Sequence, residues 1–278
     1  MKMTMGVFGT PARRLSLLVL LGMLGGCGRT PVPTPDGREK AARRPVAVAA
    51  AADLKYALDE TVVEFQKEYP EIEVKVSYGS SGTFHAQLSN KAPFDLYFSA
   101  DIEYPRRLAE AGLTVPKSEF LYATGQIVVW VRNESKLDVK GRGIEVLNDP
   151  TIRKIAIANP KHAPYGRAAE AALKTLGIYD HIQDRLVFGE NIAQTAQFVE
   201  SGAADVGVIA LSLAMAPAMR EKGRYWIVPL DKYPRLEQGG VILAWAKDRQ
   251  ATEELRAFVV GNQGRAILRK YGFLLPGE

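Results

Sequence analysis

The stretch Val46-Ala-Val-Ala-Ala-Ala-Ala-Asp-Leu-Lys-Tyr-Ala-Leu-Asp-Glu-Thr-Val-Val-Glu-Phe65 decides the fold class. Its first half is a small apolar run with no polar face, the composition of a strand covered on both sides. From Leu54 the period changes. Leu54, Ala57, Leu58, Val62 and Phe65 fall on one face at helical spacing, and the pattern ends near Tyr69-Pro70, where the residue before proline is pushed out of helical geometry. A buried strand running straight into an amphipathic helix is the repeating unit of an α/β fold.

The same alternation continues outward. Glu73-Val-Lys-Val-Ser-Tyr78 reads as a strand that stops at Gly79-Ser-Ser-Gly-Thr83, and a short helix is expected over Phe84 to Asn90. A strand over Asp95 to Ser99 and a helix over Ile102 to Ala111, closed by Gly112, follow. Tyr122 to Arg132 is a long β-rich stretch. The alternation then restarts with strand Lys154 to Ala158, helix Arg167 to Leu176, strand Arg185 to Phe188, helix Ile192 to Ser201 and strand Val206 to Ala210. A second β-rich stretch, Gly239 to Trp245, precedes helices expected over Thr252 to Val260 and Gln263 to Tyr271. If the two long stretches are crossings, the domain has two lobes, 46–125 plus 240–278 and 126–239, with a cleft between them.

The N-terminal part has another character. Lys2, Arg13 and Arg14 precede the apolar run Leu15 to Leu24, which is the basic head and short apolar segment of an export signal spanning 1–26. At about ten residues the run is half of what a bilayer span needs. Leu24-Gly-Gly-Cys27 resembles the box at which bacterial lipoproteins are cleaved and acylated, so Cys27 is the expected lipidation site and membrane anchor. Residues 27–45, with Pro31, Pro33, Pro35 and Pro45, read as an extended basic tether.

The net charge of +5 over 278 residues invites a nucleic-acid reading, but its distribution removes it. The first 27 residues carry three cations and no acid, and residues 28–45 carry five cations against two acids, which leaves the folded domain at −1. No nucleic-acid partner is expected. A single Cys excludes an internal disulfide, and with three His it leaves no structural zinc set. No cofactor and no bound metal cation are expected.

Three junctions, Ala50-Ala-Ala-Asp-Leu54, Tyr78-Gly-Ser-Ser-Gly-Thr83 and Gly189-Glu-Asn-Ile-Ala193, carry a strand into a helix through small or polar residues, and Asn159-Pro-Lys-His-Ala-Pro-Tyr-Gly166 is a Pro-rich loop before another helix. Helix starts expose unpaired N–H groups and favour an anion. Taken singly, each junction is better explained by ordinary helix capping through Asp53, Ser81 or Asn191.

Over residues 46–278 the chain resembles the molybdate-binding proteins of bacterial ABC importers. The resemblance rests on Val48-Ala-Ala-Ala-Ala-Asp-Leu54, Tyr78-Gly-Ser-Ser-Gly-Thr-Phe84, Ala92-Pro-Phe-Asp-Leu-Tyr-Phe-Ser-Ala-Asp101, Asn159-Pro-Lys-His-Ala-Pro-Tyr-Gly-Arg-Ala-Ala169, Glu190-Asn-Ile-Ala-Gln-Thr195, Val206-Gly-Val-Ile-Ala-Leu-Ser212 and Lys270-Tyr-Gly-Phe273. It implies a two-lobed type II periplasmic-binding-protein fold, each lobe a mixed sheet flanked by helices, with two crossover strands as hinge. It also implies a monomer that captures molybdate or tungstate and delivers it to a permease and its ATPase, with no catalysis. Carried over position by position, the ligand donors are Ser81, Tyr165 and Ile192, with Ala52 and Asp53 at the first turn. Two positions depart from the pattern. Asp53 stands where the family has a serine, and Ala210 where a tyrosine often donates, although Ala210-Leu-Ser212 resembles one branch of the family.

Three readings are open for Asp53: it turns away and caps its helix while its N–H or that of Ala52 donates; it is protonated; or it coordinates the metal centre of an expanded oxyanion. A receptor for phosphate or sulfate, or an anion sensor not coupled to transport, would use the same fold. Ser81 with His85 lacks the spacing of a hydrolase, Asp95 and Asp101 read as capping residues rather than an acid–base pair, His162 and His181 as loop residues, and Trp130 and Trp245 as core.

Overall fold

The computed structural model describes residues 43–278. The export signal 1–26, Cys27 and the tether up to residue 42 lie outside the described residues. The tether's last residues belong to the domain: the first strand begins at Arg44, whose guanidinium holds Asp248 through bonds of 2.7 and 2.9 Å.

In chain order the strands are β1 Arg44–Ala51, β2 Ile72–Gly79, β3 Leu96–Ser99, β4 Phe120–Gly125, β5 Ile127–Arg132, β6 Ile155–Ala158, β7 Leu186–Gly189, β8 Val206–Ala210, β9 Gly223–Ile227 and β10 Leu236–Ile242. The helices are α1 Lys55–Glu68, α2 Ser81–Ser89, α3 Glu103–Glu110, α4 Val139–Arg142, α5 Pro164–Thr175, α6 Tyr179–Ile182, α7 Ile192–Glu200, α8 Leu211–Ala214, α9 Pro217–Arg220, α10 Arg249–Val260 and α11 Asn262–Lys270. Among the described residues no helix is long and apolar enough to cross a membrane.

The strands form two five-stranded mixed sheets, ordered β2-β1-β3-β10-β4 and β7-β6-β8-β5-β9. Each holds three parallel strands and an antiparallel pair at one side. The pleat sorts the small apolar residues of the first sheet. Val48, Ala50, Phe98 and Ile242 pack on one face with Leu54, Phe65, Leu255 and Leu268, and Ala49, Tyr97 and Val241 pack on the other with Phe84, Leu88 and Leu108. This two-sided cover is why the first strand reads as an unbroken apolar run. Trp130 is fully buried in the core of the second lobe, as expected.

The long stretch Tyr122 to Arg132 is two strands, not one. β4 lies in the first sheet and β5 in the second, so the chain changes lobe at Gln126. It returns before Leu236, which pairs with Gly125. Residues 236–239 therefore lie in the first sheet rather than the second lobe. Sequence pattern placed the return later because Gln238, a fully buried position, is polar and breaks the apolar run. Helices α2 and α5 each begin three residues earlier than the apolar periodicity indicates, since their first turns are built from Ser81-Gly82 and from Pro164-Tyr165-Gly166. Both shifts bear on the site, because they place Ser81 and Tyr165 inside first turns.

Candidate functional site

The carboxyl ends of β1 and β2 in one lobe face those of β6 and β7 in the other, and each strand runs into a helix there. Ala52, Asp53, Ser81, Tyr165 and Ile192 all line one small cavity of about 10 Å³ between the lobes. The convergence that spacing alone could not establish is thus present. Ala52 opens the 3-10 turn Ala52–Leu54 that leads into α1, Ser81 opens α2, Tyr165 is the second residue of α5 and Ile192 opens α7. In a first turn the backbone N–H has no acceptor four residues back, so these groups remain available and the helix dipoles add a positive potential. The cavity has the donor set for a small anion.

Ser81 is buried, and its Oγ accepts the Ala100 N–H at 3.0 Å. With that lone pair engaged, the hydroxyl proton is the part left to give. At the third junction the capping reading holds for Asn191, whose Oδ1 accepts from the N–H groups of Ala193 and Gln194, each at 3.0 Å. That cap leaves the N–H of Ile192 to the cavity.

The hydrogen bonds of the Asp53 carboxylate are not made to its own helix, whose Asp53 and Leu54 N–H groups act on it only weakly. Instead its Oδ2 accepts from the Tyr165 hydroxyl at 3.0 Å and from Gln238 Nε2 at 2.7 Å, and Gln238 Nε2 also donates to the Tyr165 oxygen at 3.0 Å. The reason is burial: inside the domain a carboxylate needs its own donors, and Gln238 supplies one from the same lobe while Tyr165 supplies the other across the cleft. Oδ1 is buried with no partner, as is Oε1 of Gln238. Burial pushes the Asp53 carboxyl up to about 6, against the lowering effect of the Gln238 and Tyr165 bonds. Gly125 makes room for this triangle, because a Cβ there would run into the Tyr165 hydroxyl and the Gln238 amide.

Several residues at the site were not singled out from sequence. Gln238 is one; a glutamine inside a β-rich run was the available signal. Ser212 donates its hydroxyl to the backbone carbonyl of Asp53 at 2.8 Å, tying β8's end to the first lobe. Ser80 donates to the His162 carbonyl at 2.5 Å, and the Gly82 N–H donates to the same oxygen at 2.9 Å. His162, read as a loop residue, thus helps close the rim. Asp101 pairs with Arg167 at 2.5 Å across the cleft, and Arg167 also reaches the Tyr104 hydroxyl at 3.0 Å.

The enzyme constellations do not assemble. Ser81 Oγ is bonded to a backbone amide rather than to His85. Asp95 spends both oxygens on backbone N–H groups, Ala47 at 2.7 Å and Lys247 at 2.8 Å. Among the described residues no group of three His, Cys, Asp or Glu side chains is placed to hold a metal ion. Ala210 ends β8 fully buried and presents no hydroxyl.

A two-lobed α/β molecule with converging helix starts in its cleft is a solute receptor in form. The model of the bacterial extracellular solute-binding proteins matches residues 46–274, and the chain belongs to that family. It is 36% identical over 228 residues to the molybdate-binding protein ModA of Azotobacter vinelandii, which covers 82% of this chain and 89% of the relative. The solved structure of the Azotobacter vinelandii periplasmic molybdate-binding protein superposes with a TM-score of 0.77 at 33% identity, over 83% of this chain and 99% of that one. A putative ABC transporter substrate-binding lipoprotein of Bacillus subtilis, YvgL, is 25% identical over 93% of this chain and 96% of its own length.

Proposed function

We propose that this protein is the solute-binding component of a bacterial ABC importer, that it captures molybdate or tungstate in the interlobe cavity, and that it hands the ion to a permease driven by an ATPase. The observation that carries this reading is the convergence of four helix starts and the Ser81 hydroxyl on one cavity that no Lys or Arg lines. Such a site recognises a tetrahedral oxyanion by counting its oxygens with neutral donors. The likeness to the Azotobacter protein supports molybdate as the cargo. The donors assigned are the N–H groups of Ala52 or Asp53, Ser81, Tyr165 and Ile192, together with Ser81 Oγ. The lobes close about the crossings at Gln126 and before Leu236.

The same reading makes the protein a monomer without cofactor or catalytic step, the oxyanion being cargo. Acylation of Cys27 would hold it at a bacterial membrane facing the periplasm or the exterior, with residues 28 to 43 as a lead; the lipoprotein relative supports this arrangement. A thermal-shift panel on the full chain in detergent tests the cargo. Molybdate and tungstate should raise the melting temperature as ligand exceeds its dissociation constant, with sulfate and phosphate giving smaller shifts. No shift with either molybdate or tungstate overturns the proposal.

A further inference from the structure

A carboxylate lines a cavity otherwise furnished with donors, and one of its oxygens is buried with no partner. We propose that Asp53 makes oxyanion capture proton-coupled: each dianion enters together with one proton, which lies between Asp53 Oδ1 and a ligand oxygen. This rests on the reading of the cavity as a tetrahedral-oxyanion site.

The hydrogen bonding places the proton. Oδ2 already accepts two hydrogen bonds, from Tyr165 and Gln238. Oδ1 is the oxygen without a hydrogen-bond partner, so the proton and the ligand contact are assigned to it. The balance is simple: an Asp53 O–H donates to an oxygen of the dianion, or a singly protonated oxyanion donates to the ionised Oδ1. Either way the closed cavity holds two negative charges instead of three. Without the proton, a carboxylate about 4 Å from each charge of a dianion is repelled by roughly 1 kcal/mol per pair even at the dielectric of water.

No charged side chain relieves this repulsion. The titratable groups that face Asp53 are Tyr165 from α5 and Tyr122 from β4, with Tyr233 behind Tyr165. All three are phenols that burial pushes up, so none ionises in the working range. Lys55, on Asp53's own helix, is turned to Asp59 at 3.2 Å, and His162 is bonded to Ser80. Burial raises the carboxyl to about 6, and the incoming dianion raises it further. The proton is then drawn from solvent at neutral pH. An oxyanion that enters as a monoanion carrying its own proton, such as dihydrogenphosphate, would need none. Proton supply is therefore part of how the site ranks its ligands.

Calorimetric titration of the full chain with sodium molybdate decides this, run at about pH 8 in buffers of different ionisation enthalpy and repeated from about pH 5.5 to about 8.5. Expected are about one proton taken up per molybdate bound and a dissociation constant that rises about tenfold per pH unit above about 6. Asp53→Asn and Asp53→Ser should bind with no uptake and a flat profile. Molybdate binding to the wild-type chain with no proton exchange, or uptake that persists in either variant, overturns the inference while leaving the receptor reading intact. Absence of binding to molybdate, tungstate, sulfate and phosphate alike overturns both. The wild-type measurement is decisive even if a variant fails to fold.

Discussion

After β1 the chain enters its helix through Ala52 and Asp53, and after the neighbouring parallel strand β2 it does so through Ser80 and Ser81. The strands are in register at Ala51 and Gly79, so Asp53 and Ser81 occupy corresponding places two residues past the ends of paired strands. Both are buried, and both line the same cavity. Each is fixed by neighbours on one side: Ser81 by the Ala100 N–H, Asp53 by Tyr165 and Gln238. What each has left differs. Ser81 retains a proton to give, and ionised Asp53 retains only a lone pair. The backbone geometry of a strand-to-helix turn therefore supplies donors wherever it occurs, while the side chain at one position decides whether the turn attracts an anion unconditionally or only with a proton.

The comparison breaks most visibly if the carboxylate is neutralised without changing its shape. Asp53→Asn can keep its amide oxygen on Tyr165 and Gln238 and point its NH₂ at the cavity, which makes the first turn resemble the second. The Asp53 carboxyl titrates near 6 when folded against 3.8 ordinarily, so the folded state binds its proton more tightly than the unfolded chain. The stability that proton brings is complete below about pH 4 and is lost as pH rises to about 6. Above that the ionised group costs about 3 kcal/mol, at 1.36 kcal/mol per unit. In denaturant unfolding of the ligand-free protein, Asp53→Asn should be more stable than wild type by up to this amount at about pH 8 and equal to it near pH 4. A gain independent of pH would show that the difference is packing rather than charge.

Ser81→Ala attacks the other turn. It removes a hydroxyl donor to a charged ligand and leaves the Ala100 N–H without its acceptor. A hydrogen bond to a charged group contributes about 1.5–3 kcal/mol, so molybdate affinity should fall roughly ten- to hundredfold. Asp53→Asn at about pH 8 should not weaken binding. Equal losses in the two variants, measured by calorimetry, would mean that both side chains donate and that the contrast between the turns is false.

How far these turns could be read from sequence follows from which chemistry was local. The strand-to-helix junctions were legible because small residues, a change of period and polar turn residues sit within a few positions of one another. Ser81, Tyr165 and Ile192 were named as donors by resemblance to the molybdate-binding proteins, and the local pattern added only that each lies near a helix start. The fate of Asp53 was not legible. Its partners Tyr165 and Gln238 lie 112 and 185 residues away in sequence, and the carboxyl follows them rather than its own helix. Gln238 was missed for the same reason that β10 was entered late: a polar residue at a fully buried position interrupts an apolar run, and its meaning appears only when the facing strand brings Gly125 and the α5 start beside it.

The third junction separates capping from ligand donation, with the smallest effect. Asn191 occupies the helix entry after β7, yet its side chain bonds Ala193 and Gln194 of its own helix, the local role that Asp53 declines. Losing such a cap costs about 1 kcal/mol of stability. Asn191→Ala should therefore lower the unfolding free energy by about that much at every pH and leave the Ile192 N–H in place, so that molybdate affinity changes by less than about fivefold. A loss as large as that of Ser81→Ala would instead show that the cap's orientation of the Ile192 amide is itself part of recognition, and that the turn after β7 belongs with the turn after β2.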